Sequence, residues 1–156
     1  MASFDPAFDF MLPHEGTTYE CDPDDPGGAT KFGICQRAYP GLDIAGLTLA
    51  DAKAIYRRDY WQPAYECIGA QELASKIFDM AVNMGTHEAH KIVQRACGVP
   101  DDGKFGPATL AAVNAAEPAS LLANIRDKAA QFYLDLVAQR PSSRKFLTGW
   151  LRRARA

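Results

Sequence analysis

The chain has 156 residues, of which 47% are hydrophobic and 23% charged, and its formal net charge is -2. That length fits one domain and is enough to bury roughly 68–70% of the unfolded surface. The balance excludes a disordered chain, and no stretch approaches the roughly 20 apolar residues of a membrane-spanning helix.

The charge is polarised along the chain. Residues 1–30 carry seven acids and no Lys or Arg, whereas residues 140–156 carry six bases (Arg140, Arg144, Lys145, Arg152, Arg153 and Arg155) and no acid. A basic end of this kind suits an anionic surface such as a cell envelope, or else is a solvated helix face. A helical nucleic-acid binder would need those bases on a recognition helix, and none carries them. The opening segment lacks a basic region before an apolar run, so no secretory signal is expected. The four cysteines form no C-x-x-C pair, which fits free thiols in a protein that folds in the cytoplasm. His87 and His90 share a helix face without a third ligand, so no metal or other cofactor is expected.

In chain order, Asp5 is expected to cap a first helix, with Pro6 in its first turn and Phe8, Met11 and Leu12 as its apolar stripe. That helix should end around His14–Gly16, with Glu15 at its edge. Residues 17–33 hold two proline turns and the Gly27-Gly28 pair, and read as a loop or short hairpin with Tyr19 and Phe32 on its walls. Thr48 and Asp51 form a capping box that opens a helix through Ile55, Tyr56 and Tyr60, closed by Pro63. Residues 71–84 form the most apolar helix, which places it centrally in the core. Gly85 ends it, and Thr86 is expected to cap a helix running to Cys97 before Gly98. Asp101-Asp102-Gly103 marks a turn, Pro107 starts a short helix, and Pro118 starts a longer one to about Gln139, broken by Pro141. A last segment from Ser142 or Ser143 carries Phe146, Leu147, Trp150 and Leu151 on one side. The fold class is mainly α: a helical bundle around a central apolar helix, with a small loop or β-hairpin at about 17–33.

The richest chemistry lies between Glu15 and Ile34. Asp24 stands nine residues after Glu15 and Thr30 fifteen after it, with Asp25 beside Asp24. Cleaving a glycosidic bond needs a shielded acid for the leaving oxygen and polar groups across the sugar to handle water or positive charge. Glu15, at a helix C-terminus where the macrodipole is negative, suits the acid. Asp24 or Asp25, together with Thr30, suits the water. Gly27 and Gly28 let the loop turn tightly. Asn83 shares a helix face with Asp79, and in so apolar a helix it suits a contact to an N-acetyl sugar; Asp79 suits a capping role. Trp61 and Trp150 can stack on sugars, but aromatic residues in helical stripes more often fill a core.

Four patches resemble glycoside hydrolase family 108, the bacterial and phage N-acetylmuramidases. The first is Glu15-Gly16-Thr17-Thr18-Tyr19, then Asp22-Pro23-Asp24-Asp25-Pro26-Gly27-Gly28-Ala29-Thr30-Lys31-Phe32-Gly33-Ile34, close to the family's E-G-G-Y and D-P-x-D-P-G-G-x-T-x-x-G-I. Thr17 replaces a family glycine and Tyr19 sits one place late. The second is Phe78–Gly85, like F-D-x-A-V-N-x-G. The third is Asp102–Leu110, like the D-G-x-x-G-x-x-T of the family's peptidoglycan-associated half. The fourth runs through Phe146, Gly149, Trp150 and Arg152-Arg153, like its closing F-x-x-G-W-x-x-R. The Glu15, Asp24 and Thr30 spacing is also similar to that of phage-type lysozymes.

The resemblance implies a lysozyme-like domain over 1–156, with the catalytic motifs in 1–85 and a peptidoglycan-associated helical half in 86–156. It implies hydrolysis of the β-1,4 bond between N-acetylmuramic acid and N-acetylglucosamine by a monomer. Glu15, Asp24, Asp25 and Thr30 would be catalytic, and Tyr19, Phe32 and Asn83 would touch substrate. A setting such as a phage endolysin, made in the host cytoplasm and released onto the wall, fits. A lytic transglycosylase and a non-catalytic peptidoglycan-binding module are the alternatives.

Overall fold

The computed structural model describes residues 1–21 and 28–156. Among them are helices α1 (Phe4–Glu15), α2 (Leu49–Asp59), α3 (Gln71–Met84), α4 (Thr86–Cys97), α5 (Pro107–Ala115), α6 (Pro118–Gln139) and α7 (Leu147–Arg155). Strands β1 (Thr30–Lys31) and β2 (Ile34–Cys35) form an antiparallel hairpin. Short 3₁₀ turns occupy Pro63–Cys67 and Pro141–Phe146. None of the described helices is long and apolar enough to cross a membrane.

Helix α3 is the axis of the bundle, as its composition predicts. Every residue from Leu73 to Ala81 is buried, and the helix packs against α1, α4 and α6. Fully burying Leu73, Ile77, Phe78 and Met80 contributes about 1.5–3 kcal/mol each. The α1 stripe of Phe4, Ala7, Phe8 and Met11, at i, i+3, i+4 and i+7, lies on this axis. Edge-to-face contacts tie the ring of Phe4 to those of Phe78 and Trp61, 5.6 Å away in each case, and bring Trp61 against Tyr65. Trp61 is therefore a core residue.

Several boundaries differ from the sequence expectation. Asp5 does not cap α1. Ser3 takes the cap position without a side-chain bond; its N–H donates to Gln71 Oε1 (2.8 Å), and Asp5 pairs with Lys53 at 3.0 Å. Likewise Thr86 is the first residue of α4, with Gly85 before it, and makes no cap. The Thr48–Asp51 capping box is complete, but α2 ends at Asp59 and Pro63 opens a 3₁₀ turn instead of closing the helix. The hairpin strands lie at 30–35, so β1 falls at the end of the expected segment and β2 just beyond it.

The Asp102–Leu110 segment is held from within. Gln94 Nε2 donates to Asp102 Oδ1 (2.8 Å), the Lys104 carbonyl (3.0 Å) and Thr109 Oγ1 (3.0 Å), and Gln94 Oε1 accepts from the Gly103 N–H (2.9 Å). Gly103 has φ 74°, and a Cβ there would fall 2.2 Å from His87 Nδ1, so only glycine fits. His90 donates through Nδ1 to the Gly103 carbonyl (3.1 Å) and accepts through Nε2 from the Tyr65 hydroxyl (2.6 Å), the tautomer that satisfies both. Burial lowers its pKa, which keeps it neutral. His90 thus braces the loop, and His87 lies close against its Gly103.

Candidate active site

Glu15 is the last residue of α1, where Gly16 (φ 77°) stops the helix. Pro13, one turn from the end, withdraws an N–H that would have bonded back into the helix, so the terminus is thinly bonded. The Glu15 side chain is 17% exposed, and its Oε1 lies 2.6 Å from Nη1 of Arg153, on α7. The six C-terminal bases are therefore not all remote from Glu15, as their place in the sequence suggests. The unfavourable charge of a glutamate at a helix C-terminus is met by a guanidinium.

Arg153 is itself held from beneath. Its Nε and Nη2 lie 3.0 and 2.9 Å from Asp79 Oδ1, and its Nη1 donates to Asn83 Oδ1 (3.2 Å). His14 Nδ1 approaches the same Asp79 oxygen at 3.0 Å, and Lys76 Nζ lies 4.0 Å from the other. Burial works against the charge of Arg153, but the carboxylates of Asp79 and Glu15 outweigh it and raise its pKa. Asp79 is 1% exposed and is the buried anion of an ion-pair cluster, not the backbone cap expected of it. Asn83 Nδ2 donates to the Tyr133 hydroxyl, whose pKa burial pushes up to about 12.

On the other side of Glu15 stands the hairpin. Its two-residue turn, Phe32-Gly33, has φ of 52° and 76°, the left-handed pair that right-twisted hairpins require. Glycine takes such a φ freely, whereas phenylalanine is strained there. The Tyr56 hydroxyl donates to the Phe32 carbonyl (2.9 Å), and burial followed by the Glu15 charge raises its pKa, so it stays a donor. A Cβ on Gly33 would lie 2.5 Å from Glu15 Oε2 and 2.6 Å from the Tyr56 hydroxyl. The backbone of the turn is thus pressed onto the carboxylate.

The residues singled out from sequence fare differently. Thr30 is on β1, pairs through its backbone with Glu20, and donates from Oγ1 to the Gly28 carbonyl (3.4 Å). Phe32 is half-buried against the core with Lys31 Nζ 5.5 Å from its ring centre, and Tyr19 is 44% exposed. Asp24 and Asp25 lie outside the described residues. Asn83 lines a cavity of about 660 Å³ together with His14, Arg153, Trp150, Phe146 and Lys145, though its polar atoms serve Arg153 and Tyr133. Trp150 is half-buried in that wall, stacked on Tyr133 at 5.1 Å, so it is only in part a core residue. Sequence reasoning missed Arg153, Tyr56, Gly33 and His14. Arg153 had a signal, since it is the final residue of the F-x-x-G-W-x-x-R-like patch.

Residues 8–85 match the family model described as Glycosyl hydrolase 108, and residues 88–155 match the one described as Predicted Peptidoglycan domain. Among solved structures the chain is similar to that of Brucella abortus SagA, with 28% identity and a TM-score of 0.69, over 97% of this chain and 92% of that one. No curated protein matches the chain. The first model contains Glu15, the hairpin and the Asp79 helix, and the second contains Arg153 and the cavity wall of α7. The chain belongs to the glycosyl hydrolase 108 family, as a mainly helical, lysozyme-like glycoside hydrolase that acts on peptidoglycan and carries a peptidoglycan domain in its second half.

Proposed function

We propose that the protein is an N-acetylmuramidase that hydrolyses the β-1,4 bond between N-acetylmuramic acid and N-acetylglucosamine, with Glu15 as general acid. The observation that carries this reading is the setting of Glu15: a largely buried carboxylate, gripped at Oε1 by Arg153 and pressed at Oε2 by the Gly33 turn. A proton donor must be fixed against the leaving oxygen, and both flanks of Glu15 are fixed. Arg153 is a positioning residue that also supplies positive charge once Glu15 has given up its proton. Asp24 or Asp25, with Thr30, handles the attacking water. In support, Thr30 lies on the strand that leads into the turn against Glu15. On this reading the regions 1–85 and 86–156 work as one catalytic domain, because Arg153 comes from the second and Glu15 from the first.

Mass spectrometry of the muropeptides released from purified walls tests the reading. A reducing muramyl end is expected. A 1,6-anhydro-muramoyl end would replace hydrolysis by transglycosylation, and a reducing N-acetylglucosamine end would move the cut to the other bond. Glu15→Gln should lose roughly 10²–10⁴-fold in rate. Activity within about threefold of wild type would remove Glu15 from the mechanism.

A further inference from the structure

The cavity beside Glu15 has a chemistry that hydrolysis of a neutral glycan does not use. It shares His14 and Arg153 with the surroundings of the acid, and its other lining residues lie mostly on the 3₁₀ turn and α7. Its aromatic wall is Trp150 and Phe146, 5.5 Å apart, and Trp150 is backed by Tyr133, stacked on it at 5.1 Å. The rings run from the buried Tyr133 to Phe146, which is 50% exposed. Gly149, between the two outer rings, leaves the surface open there. Two cations complete the wall: Lys145, with Nζ 4.9 Å from the Phe146 ring centre, and Arg152. Both are exposed, and neither is ion-paired among the described residues. The charge of Arg153, by contrast, is taken up by Asp79 and Glu15.

We infer that this cavity seats the peptide stem attached to the muramyl residue, with Lys145 and Arg152 on its carboxylates and Phe146 and Trp150 under its small apolar side chains. The inference rests on the muramidase reading for its placement next to the bond that is cut. The choice of occupant follows from charge. The glycan strand of intact peptidoglycan is uncharged, because each lactyl carboxyl is consumed in the amide that joins the stem. The carboxylates near a muramyl residue therefore belong to the stem, whose alanine and acidic residues match an apolar floor with a cationic rim. The second half of the chain then recognises the peptide while the first half cuts the sugar.

The test is a binding titration in the Glu15→Gln protein, which holds ligand without turning it over. Three soluble four-sugar fragments are compared: one with intact stems, one with the stems removed by amidase so that the lactyl carboxylates are free, and one with the stem carboxylates converted to amides. Lys145→Gln with Arg152→Gln should weaken binding of the first fragment on the order of tenfold at low salt, as expected for two exposed ion pairs. Binding of the other two fragments should not change. Acrylamide quenching, which reaches half-exposed Trp150 before buried Trp61, should fall when the stem-bearing fragment binds. Equal weakening on the stem-free fragment would assign the cations to the lactyl carboxylate and overturn the inference. So would unchanged binding of all three, or quenching that does not respond. The muropeptide products of the active protein report separately on the muramidase reading, so either can fail alone.

Discussion

The guanidinium of Arg153 lies 2.6 Å from the carboxylate of Glu15, although the two residues stand near opposite ends of the chain. The contact closes the bundle: α7 meets α1 over the middle of α3, and Asp79 of α3 anchors the arginine from below. The proton donor, its positive partner and the anion that fixes that partner thus come from three helices. Folding brings them together, and no local motif contains all three.

Replacing Arg153 by Met should cost about 3–5 kcal/mol, because Asp79 would keep a buried charge with too little to balance it. Arg153→Lys should keep more of the stability, since a cation remains, but an ammonium cannot reach Glu15, Asp79 and Asn83 together. If Arg153 positions the acid, kcat should fall at least tenfold in the lysine variant with KM little changed. Activity that falls only in proportion to stability, leaving the folded lysine variant close to wild type, would make Arg153 purely structural. Urea unfolding alongside steady-state hydrolysis of soluble glycan chains reads out both quantities.

Gly33→Ala should harm activity more than its stability loss explains. The position combines φ 76° with a Cβ that would press on Glu15 Oε2 and the Tyr56 hydroxyl, so the turn must lift off the carboxylate. The backbone strain alone amounts to about 1–3 kcal/mol. Gly85→Ala is the control: its φ is 88°, with open space around the new methyl group. Activity lost at Gly33 beyond what its lower melting point explains, and kept at Gly85, is expected. Matching activities would mean that the hairpin's approach does not matter to Glu15.

Tyr56→Phe should loosen the same turn more gently. It removes the hydroxyl bond to the Phe32 carbonyl, for about 0.5–1.5 kcal/mol, and leaves the buried ring in place. Amide exchange of the 30–35 segment should speed up while that of α3 stays the same. Unchanged exchange in the hairpin would show that the strained Phe32 conformation is held by something other than Tyr56.

Elements written in local periodicity were legible from sequence. The apolar run from Leu73 to Ala81, the Thr48–Asp51 box and the prolines that open α5 and α6 each announce an element through nearby residues. Glu15 was legible for the same reason, since a stripe of apolar residues ends where it stands. Caps were less so: Ser3 stands where Asp5 looks chemically better, because Gln71 and Lys53 supply partners from other helices, and Gly85 stands before α4 where Thr86 looks better as a cap. Arg153 was harder still. In sequence it is one of six bases at an end of the chain, and only its bonds to Asp79 and Glu15 in the folded protein separate it from Arg152, its neighbour on the open wall. Asp79 followed it, since a buried carboxylate reads as a cap until its counter-ions are known.

Lys76 should give stability an unusual pH dependence. Its ammonium is 1% exposed, donates to the Arg153 carbonyl at 2.6 Å, and lies 4.0 Å from Asp79 Oδ2. Burial brings its pKa down to about 8, only partly offset by Asp79. An unfolded lysine titrates near about 10.4, so between these values the unfolded chain holds a proton that the folded protein has released. Unfolding then takes up a proton, and stability should rise with pH across that window, by up to about 3 kcal/mol. Below pH 8 both states are charged, and the burial penalty is present in full. Above about pH 10 the tyrosines oppose the trend, because burial raises the pKa of Tyr56 and Tyr65 in the folded state. The clean comparison is therefore the urea unfolding free energy of wild type minus that of Lys76→Met from pH 7.5 to 9.5. This difference should climb with pH, since the methionine variant has no proton to exchange at that position. A flat difference would mean that Lys76 keeps its charge throughout, with Asp79 compensating its burial completely.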